Sequence, residues 1–273
     1  MIRAMRAGDV GALMRLKQTA AWNQTERDWE NVLALQPEGC WVDDRDGEIV
    51  ASTTAVCYGQ ELAWIGMVLV LPEWRGRGLA RGLMKHCLGW LSNRGLRQVK
   101  LDATDMGRPL YRQLGFVEER IIERWGSTGP GSVADPGRGA LPIDLIAGFD
   151  RECLGADRGR LLRRLIEAFP GQGRWQPGNG FLLGRPGSQA YFLGPGQASS
   201  AEAAGGFLRS LMEATGEQAY YWDLFPDHAE AVSLARQLGF EPRRALARMA
   251  LRPGAGPAGR PERVFAAAGF EYG

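Results

Sequence analysis

Apolar positions along this chain change period several times, and each change marks an element. Ala12 to Ala21 and Asp28 to Leu35 carry helical spacing, so each predicts a helix. Cys40–Asp44 and Ile49–Cys57 read as strands separated at Asp46-Gly47, a dipeptide that favours a tight hairpin because both residues tolerate positive φ. Leu62 to Leu71, LAWIGMVLVL, is a nearly unbroken apolar run ended by Pro72, the pattern of a strand buried on both faces. Beyond it, Leu79, Leu83, Met84, Cys87, Leu88 and Leu91 fall on one helical stripe that stops near Gly95. Gln98 to Ala103 predicts a short strand, and Arg108 to Leu114 a short helix capped by Gly115. The alternation of helices and strands predicts an α/β (α+β) fold built on a mixed twisted sheet flanked by helices.

The second half repeats part of this order. The pentapeptide RQLGF occurs at Arg112–Phe116 and at Arg236–Phe240, each time closing a helix and each time preceded by a strand ending in aspartate, Asp102 and Asp223. An identical pentapeptide in one structural context points to duplication. Phe181–Gly184 and Ala190–Gly194 read as a hairpin around Arg185-Pro186-Gly187, with a helix from Glu202 to Ala214. Between the halves, residues 126–140 (GSTGPGSVADPGRGA) hold five glycines and two prolines, the composition of a linker. The expected domains are therefore 1–125 and 141–273, joined by a Gly/Pro-rich linker at 126–140.

Composition narrows the classes of function. The chain has 273 residues, 45% hydrophobic and 23% charged, which suits two globular domains. A net charge of +2 supplies no global reason to bind nucleic acid or an anionic membrane, so neither is expected as a partner. No apolar run reaches the length of a membrane span and the first residues lack a secretory h-region, so a cytoplasmic location is expected. Cys40, Cys57, Cys87 and Cys153 form no C-x-x-C, and His86 and His228 complete no zinc pattern, so no metal is expected. The usual serine-hydrolase, metalloprotease and P-loop signatures are missing as well.

Candidate chemistry concentrates at Val68-Leu69-Val70-Leu71-Pro72-Glu73-Trp74-Arg75-Gly76-Arg77-Gly78-Leu79-Ala80. A buried strand runs into a glycine-rich loop that opens directly into an amphipathic helix. Free N–H groups at a helix start, with glycines allowing close approach and two arginines adding charge, make a site for a phosphate or pyrophosphate.

These residues resemble the GNAT superfamily of N-acetyltransferases, whose signature [R/Q]-x-x-G-x-[G/A] is met by Arg75, Gly78 and Ala80 after the central strand. L-Y-R-Q-L-G-F some thirty residues later matches the family's second marker. The resemblance implies acetyl-CoA as donor. Val68, Leu69 and Val70 would bind its pantetheine arm, and Arg75, Gly76, Arg77, Gly78, Leu79 and Ala80 its pyrophosphate. Tyr111 would be the general acid for the departing thiolate, for which a phenol of reference pKa near 10 is well matched. A core aromatic is the other reading of Tyr111. Thr104 stands where many relatives have a cofactor-binding asparagine; it keeps a hydroxyl but loses the amide's reach.

In the family the early helices wall the acceptor pocket, so Trp22, Asn23, Gln24 and Trp29 are the expected acceptor residues, with core packing the alternative for the tryptophans. No general base is marked out: Glu61, Asp102 and Asp105 read as solvated or structural carboxylates. The second half lacks the signature, offers Gly196-Gln197-Ala198-Ser199-Ser200-Ala201 as the corresponding loop and places Ala235 where Tyr111 stands. It resembles the degenerate GNAT-like domain of tandem bacterial acetyltransferases, a likeness that extends to E-Y-G at 271–273. Its expected role is to complete the acceptor pocket or a homodimer interface. Arg158, Arg160, Arg163 and Arg164 read as the solvated face of a helix whose apolar stripe runs from Leu161 to Phe169. The implied reaction is acetyl transfer to a primary amine of a small molecule or to a peptide amino terminus. A non-catalytic acetyl-CoA-binding sensor or partner-binding protein is the alternative, with an arginine-based nucleic-acid binder as a minor third.

Overall fold

The computed structural model describes residues 1–129, 140–256 and 258–273. The first half runs β1 (Ile2–Ala4), α1 (Val10–Thr19), α2 (Glu26–Leu35), β2 (Cys40–Arg45), β3 (Glu48–Tyr58), β4 (Leu62–Val70), α3 (Leu79–Ser92), β5 (Gln98–Ala103), α4 (Arg108–Gln113) and β6 (Phe116–Thr128). The second half follows with α5 (Ile143–Leu154), α6 (Gly159–Ala168), β7 (Gly173–Gln176), β8 (Gly180–Arg185), β9 (Tyr191–Ala198), α7 (Ala201–Thr215), β10 (Ala219–Leu224), α8 (Ala229–Gln237), β11 (Glu241–Leu251) and β12 (Val264–Ala266). From α1 to β6 and from α5 to β11 the element order is the same, so the duplication suggested by RQLGF extends through both halves.

Local chemistry explains several boundaries. Asp28 accepts from the amide of Thr25 at 2.8 Å, closing the start of α2. Asp46 and Gly47 take φ of 55° and 91°, the two positive values that a twist-matched two-residue hairpin needs.

The strands form one continuous sheet in the order β1-β2-β3-β4-β5-β11-β6-β10-β9-β8-β7, with β12 added alongside β9. The halves therefore exchange their closing strands. β11 of the second half lies antiparallel to β5 of the first, with Arg248 opposite Asp102, while β6 of the first half lies antiparallel to β10 of the second, with Arg124 opposite Asp223. The two exchanged strands pair with each other at the centre, Arg120 opposite Arg248 and Arg124 opposite Arg244. Helices α1, α2, α5 and α6 share a core that takes residues from both halves, including Leu13, Trp29, Ile146, Leu161, Leu165 and Phe181.

Three expectations change. Gly126, Ser127 and Thr128, read as the start of a linker, are β6 residues paired with β10, because the strand has to continue to satisfy its neighbour; residues 130–139 of that linker lie outside the described residues. Gly196–Ala198, read as loop, prolongs β9 and pairs with β8 and β12. The arginine cluster around α6 is only in part a solvated face: Arg158 is buried, bonds Asp150 through Nε at 3.1 Å and Nη2 at 2.7 Å and donates to the carbonyl of Gly273, while Arg160 and Arg164 donate to Leu35 O and Asn31 Oδ1 near α2. Arg160 and Arg163 remain exposed, and Arg164 is half-buried.

Candidate active site

The site begins where β4 and β5 part. Their parallel pairing covers Leu62 with Gln98, Ala63 with Val99 and Trp64 with Lys100 and goes no further. Beyond it β4 bulges: Gly66 pairs with Thr54 and Leu69 with Ser52, so Met67 and Val68 together face Thr53. Met67 adopts φ of 51°, and Ser52 Oγ donates to its carbonyl at 2.8 Å. A non-glycine residue held there costs about 1–3 kcal/mol, which surrounding structure must offset. Leu71 N donates to Val50 O on β3, so by alternation Leu69 also faces β3 while Val68 and Val70 turn their backbone groups to the open side.

At the end of β4 the chain turns into α3 through Arg75–Gly78. Gly76 and Gly78 have φ of 75° and 79°, and an added Cβ at either would meet no atom of the described residues, which leave the space in front of the loop open. Arg75 N donates to Pro72 O and Gly82 N to Gly78 O, whereas the amides of Gly76 through Arg81 make no hydrogen bond among the described residues. Such an array carries the positive end of the helix and suits an anion. Both arginines lie back on their own loop. Arg75 Nε donates to Val70 O at 3.2 Å, Arg77 Nη2 to Glu73 O at 3.0 Å, and the Arg77 guanidinium sits 4.7 Å from the Trp74 ring centre. Leu79 anchors the first turn of α3 in the core and Ala80 is half-buried.

Tyr111 is carried by α4, edge-on to Phe116 with ring centres 6.2 Å apart. It is buried, yet its hydroxyl has no hydrogen-bond partner among the described residues and is not fully enclosed. Burial pushes the phenol above its usual pKa. Gly107 is required beneath the ring, since a Cβ there would lie 2.8 Å from Tyr111 Cε2. The hydroxyl of Thr104 accepts from Gly107 N at 3.3 Å and its carbonyl accepts from Arg108 N at 2.9 Å; Thr104 thus starts the turn that positions Tyr111.

The expected acceptor residues are largely committed elsewhere. Asn23 accepts from Gln189 N and Ala190 N at 2.9 and 3.0 Å and donates to Ala190 O at 2.9 Å, clamping the β8–β9 turn. Gln24 donates to Glu271 Oε2 at 2.8 Å, and its Oε1 is buried without a partner. Trp29 has no exposed surface and belongs to the core. Trp22 is half-buried and accepts from Ser188 Oγ through its carbonyl.

The sequence reading missed the residues that fill this face of the sheet. The segment Val264–Gly273 crosses it, and Glu271 backs directly onto β4: a Cβ on Gly66 would lie 3.0 Å from Glu271 Cα. Trp64 Nε1 donates to Phe270 O at 3.0 Å and Tyr58 OH to Tyr272 O at 2.8 Å. Arg185 joins the halves by bonding Asp28 Oδ1 at 3.1 Å, Ala268 O at 3.0 Å and the Glu271 carboxylate. Burial works against the Arg185 charge, but Glu271 and Asp28 outweigh it and hold the guanidinium above its usual range. The glycine interrupting the apolar run at Gly66 was the available signal for a close backbone approach.

The second half has lost the equivalent opening. β12 lies along β9, Trp222 Nε1 donates to Phe265 O at 2.9 Å and Ala267 N to Asp223 O at 2.9 Å, filling the space between β9 and β10. What remains there is a cavity of about 10 Å³, room for about one water. The start of α7 is closed by its own cap, Ser200 Oγ accepting from Ala203 N, and Ala235 at the position of Tyr111 is fully buried.

Comparison with known proteins identifies the family and the fold. Residues 12–116 match the acetyltransferase (GNAT) family model, and residues 146–266 match a second acetyltransferase (GNAT) domain model. The chain is 29% identical over 170 residues to holothin acyltransferase of Pseudoalteromonas sp. (strain SANK 73390), covering 59% of this chain and 53% of that protein, so it spans about half the length of this curated relative. Among solved structures, a putative acetyltransferase from Pyrococcus horikoshii superposes with a TM-score of 0.80 at 19% identity, covering 100% of this chain and 95% of the other. A GCN5-related N-acetyltransferase from Sphaerobacter thermophilus gives a TM-score of 0.63 at 17% identity, over 93% and 96% of the two chains. Both likenesses are of fold.

Proposed function

The chain belongs to the GNAT acetyltransferase family, and on that premise we propose that its first half takes acetyl-CoA as donor and moves the acetyl group to a primary amine of a small molecule or a peptide amino terminus. The observation that carries this reading is the opening between β4 and β5 beyond Trp64, continuous with the unbonded amides of Gly76 through Arg81. A thioester arm suits the first and a pyrophosphate the second, which is the fit expected of one extended donor.

The residues then divide the work. The amides from Gly76 to Ala80 hold the diphosphate, with Arg75 and Arg77 released from their own loop carbonyls to meet it. Outward backbone groups of Val68 and Val70 orient the pantetheine arm, and the bulge at Met67 aims a strand amide at the thioester oxygen, where negative charge develops. As the amine nitrogen forms its bond to the acetyl carbon, the carbon–sulfur bond breaks and Tyr111 gives its phenolic proton to the leaving thiolate; the proton lost by the amine goes to water. Its partnerless hydroxyl and its raised pKa support Tyr111 as an acid that keeps its proton until sulfur takes up charge. Asp102 is held by Arg248 at 2.9 and 3.0 Å and is a structural carboxylate in this reading.

The second half is a partner in shaping the acceptor face and carries no second donor site. A cytoplasmic location remains part of the proposal; among the described residues no helix is long and apolar enough to cross a membrane. Calorimetry with acetyl-CoA tests the whole reading on the native chain and on Arg75→Glu/Gly78→Trp. One site per chain, lost in the variant, is the expected result. Two sites would refute the assignment of the second half, and no binding would refute the transferase.

A further inference from the structure

Resting on the transferase reading, we infer that Arg124 and Arg244 form an anion subsite for the acceptor, so that the amine acetylated by this protein carries a carboxylate. The two arginines are register partners on β6 and β11, on the sheet face crossed by Phe270 and Glu271. Their guanidinium carbons lie 4.4 and 5.3 Å from the centre of one ring, that of Phe270, whose neighbour Glu271 touches β4 at the bulge. The pair is thus one residue of that segment away from the strand that would present the acetyl group.

The two are unequally paired. Arg124 spends Nε and Nη2 on Asp223, each at 2.7 Å, and keeps Nη1 uncommitted. Arg244 makes no hydrogen bond and no ion pair among the described residues, and its Nε is buried with no partner. Burial and the neighbouring Arg124 both work against its charge, with Asp223 and Tyr221 only partly compensating. The enclosed Nε is out of a ligand's reach, but both Nη groups of Arg244 are unbonded among the described residues and not enclosed, and with Nη1 of Arg124 they are the donors an anion would meet. Asp223 pairs with Arg124, and Asp28 and Glu271 both pair with Arg185, so Arg244 is the one cation of this cluster without an anionic partner among the described residues. It therefore matches a monoanion with two in-plane oxygens, a carboxylate, better than a phosphate dianion.

The test measures binding rather than turnover. N-acetyl derivatives of glycine, leucine, phenylalanine and glutamate, which represent the product class, are titrated by calorimetry against the chain with excess CoA, beside their carboxamides. The expected result is that at least one acid binds at least tenfold more tightly than its amide, and that Arg244→Gln abolishes the preference while leaving acetyl-CoA affinity unchanged. No preference for any acid over its amide overturns the subsite, and the native comparison decides this even should Arg244→Gln fail to fold. An acid preference that survives in folded Arg244→Gln overturns it too. The two readings fail separately: acetyl-CoA binding without acid preference leaves the transferase standing, and acid preference in a chain that does not bind acetyl-CoA leaves only the anion site.

Discussion

Arg248 reaches from β11 of the second half to Asp102 on β5 of the first, with Nε–Oδ1 at 2.9 Å and Nη2–Oδ2 at 3.0 Å. Arg124 makes the reciprocal fork to Asp223. Each arginine stands twelve residues after the arginine of its RQLGF, so the two bridges are one feature of the repeat used twice across the exchange. Both are buried, and both tie the closing strand of one half to the penultimate sheet strand of the other. The exchange explains why the halves share a sheet and a core.

Removing Arg248 leaves the fully buried Asp102 carboxylate without its partner. Arg248→Ala is expected to cost about 3–5 kcal/mol, whereas Arg248→Met with Asp102→Leu, which removes both charges at similar volume, is expected to recover most of it. The exposed pair Arg163–Asp144 is the control and is expected to give under about 1 kcal/mol when Arg163 becomes alanine. Urea unfolding of the four proteins checks the ranking, and an Arg248→Ala cost no larger than the control's would remove the stabilising role of the bridge.

Each half alone lacks its central strand. A chain of residues 1–129 would keep β6 but lose β11, which separates β6 from β5, and a chain of residues 140–273 would lose β6 in the mirror position. Neither is expected to unfold cooperatively by itself, and co-expression is expected to restore a single transition. Circular dichroism against temperature tests this, and a cooperative transition for residues 1–129 alone would contradict the interlock.

Most of the first-half elements were legible because their signals are local. The Asp46-Gly47 turn, the apolar run of β4 and the stripe from Leu79 to Leu91 each need only neighbouring residues to be recognised. The strand exchange was not legible, because β6 and β11 would have satisfied the same alternation within their own half. Asn23 and Gln24 were singled out as polar groups in the right loop, but nothing nearby in sequence announces that their partners are Ala190 and Glu271. Arg158 looked solvated because its buried counterion Asp150 lies on the preceding helix. Contacts between segments far apart in the chain decided the first two, and packing of adjoining segments the third.

Tyr111→Phe removes one oxygen that no group among the described residues holds. Folding stability and acetyl-CoA affinity are expected to stay near native values, while kcat falls by roughly 10²–10⁴, the usual worth of a positioned acid. Because burial raises the phenol pKa, the folded protein keeps this proton as pH rises, and the native kcat is expected not to decline between neutral pH and the ordinary phenol range. Steady-state rates of CoA release at several pH values read both effects. A Tyr111→Phe enzyme with native kcat would assign Tyr111 to the core alone.

The thiols supply the last test, because an acyl-enzyme thioester would need one of them. Burial pushes Cys40 and Cys153 up to about 12 and Cys87 higher still, and raises the half-buried Cys57 as well. A thiol of pKa near 12 is about one part in ten thousand thiolate at pH 8, and the thiolate is the reactive form. Reactivity therefore stays low at neutral pH and grows only as pH rises towards those values. Iodoacetamide at pH 8 is expected to label Cys57 first, by virtue of its exposure, and the other three only after unfolding. Cys57→Ala is expected to keep its activity, and initial rates against acetyl-CoA and amine are expected to give intersecting lines, since direct attack requires both substrates together. Parallel lines would replace direct transfer by a covalent acyl-enzyme, and loss of turnover in Cys57→Ala beside them would place the acyl group on sulfur.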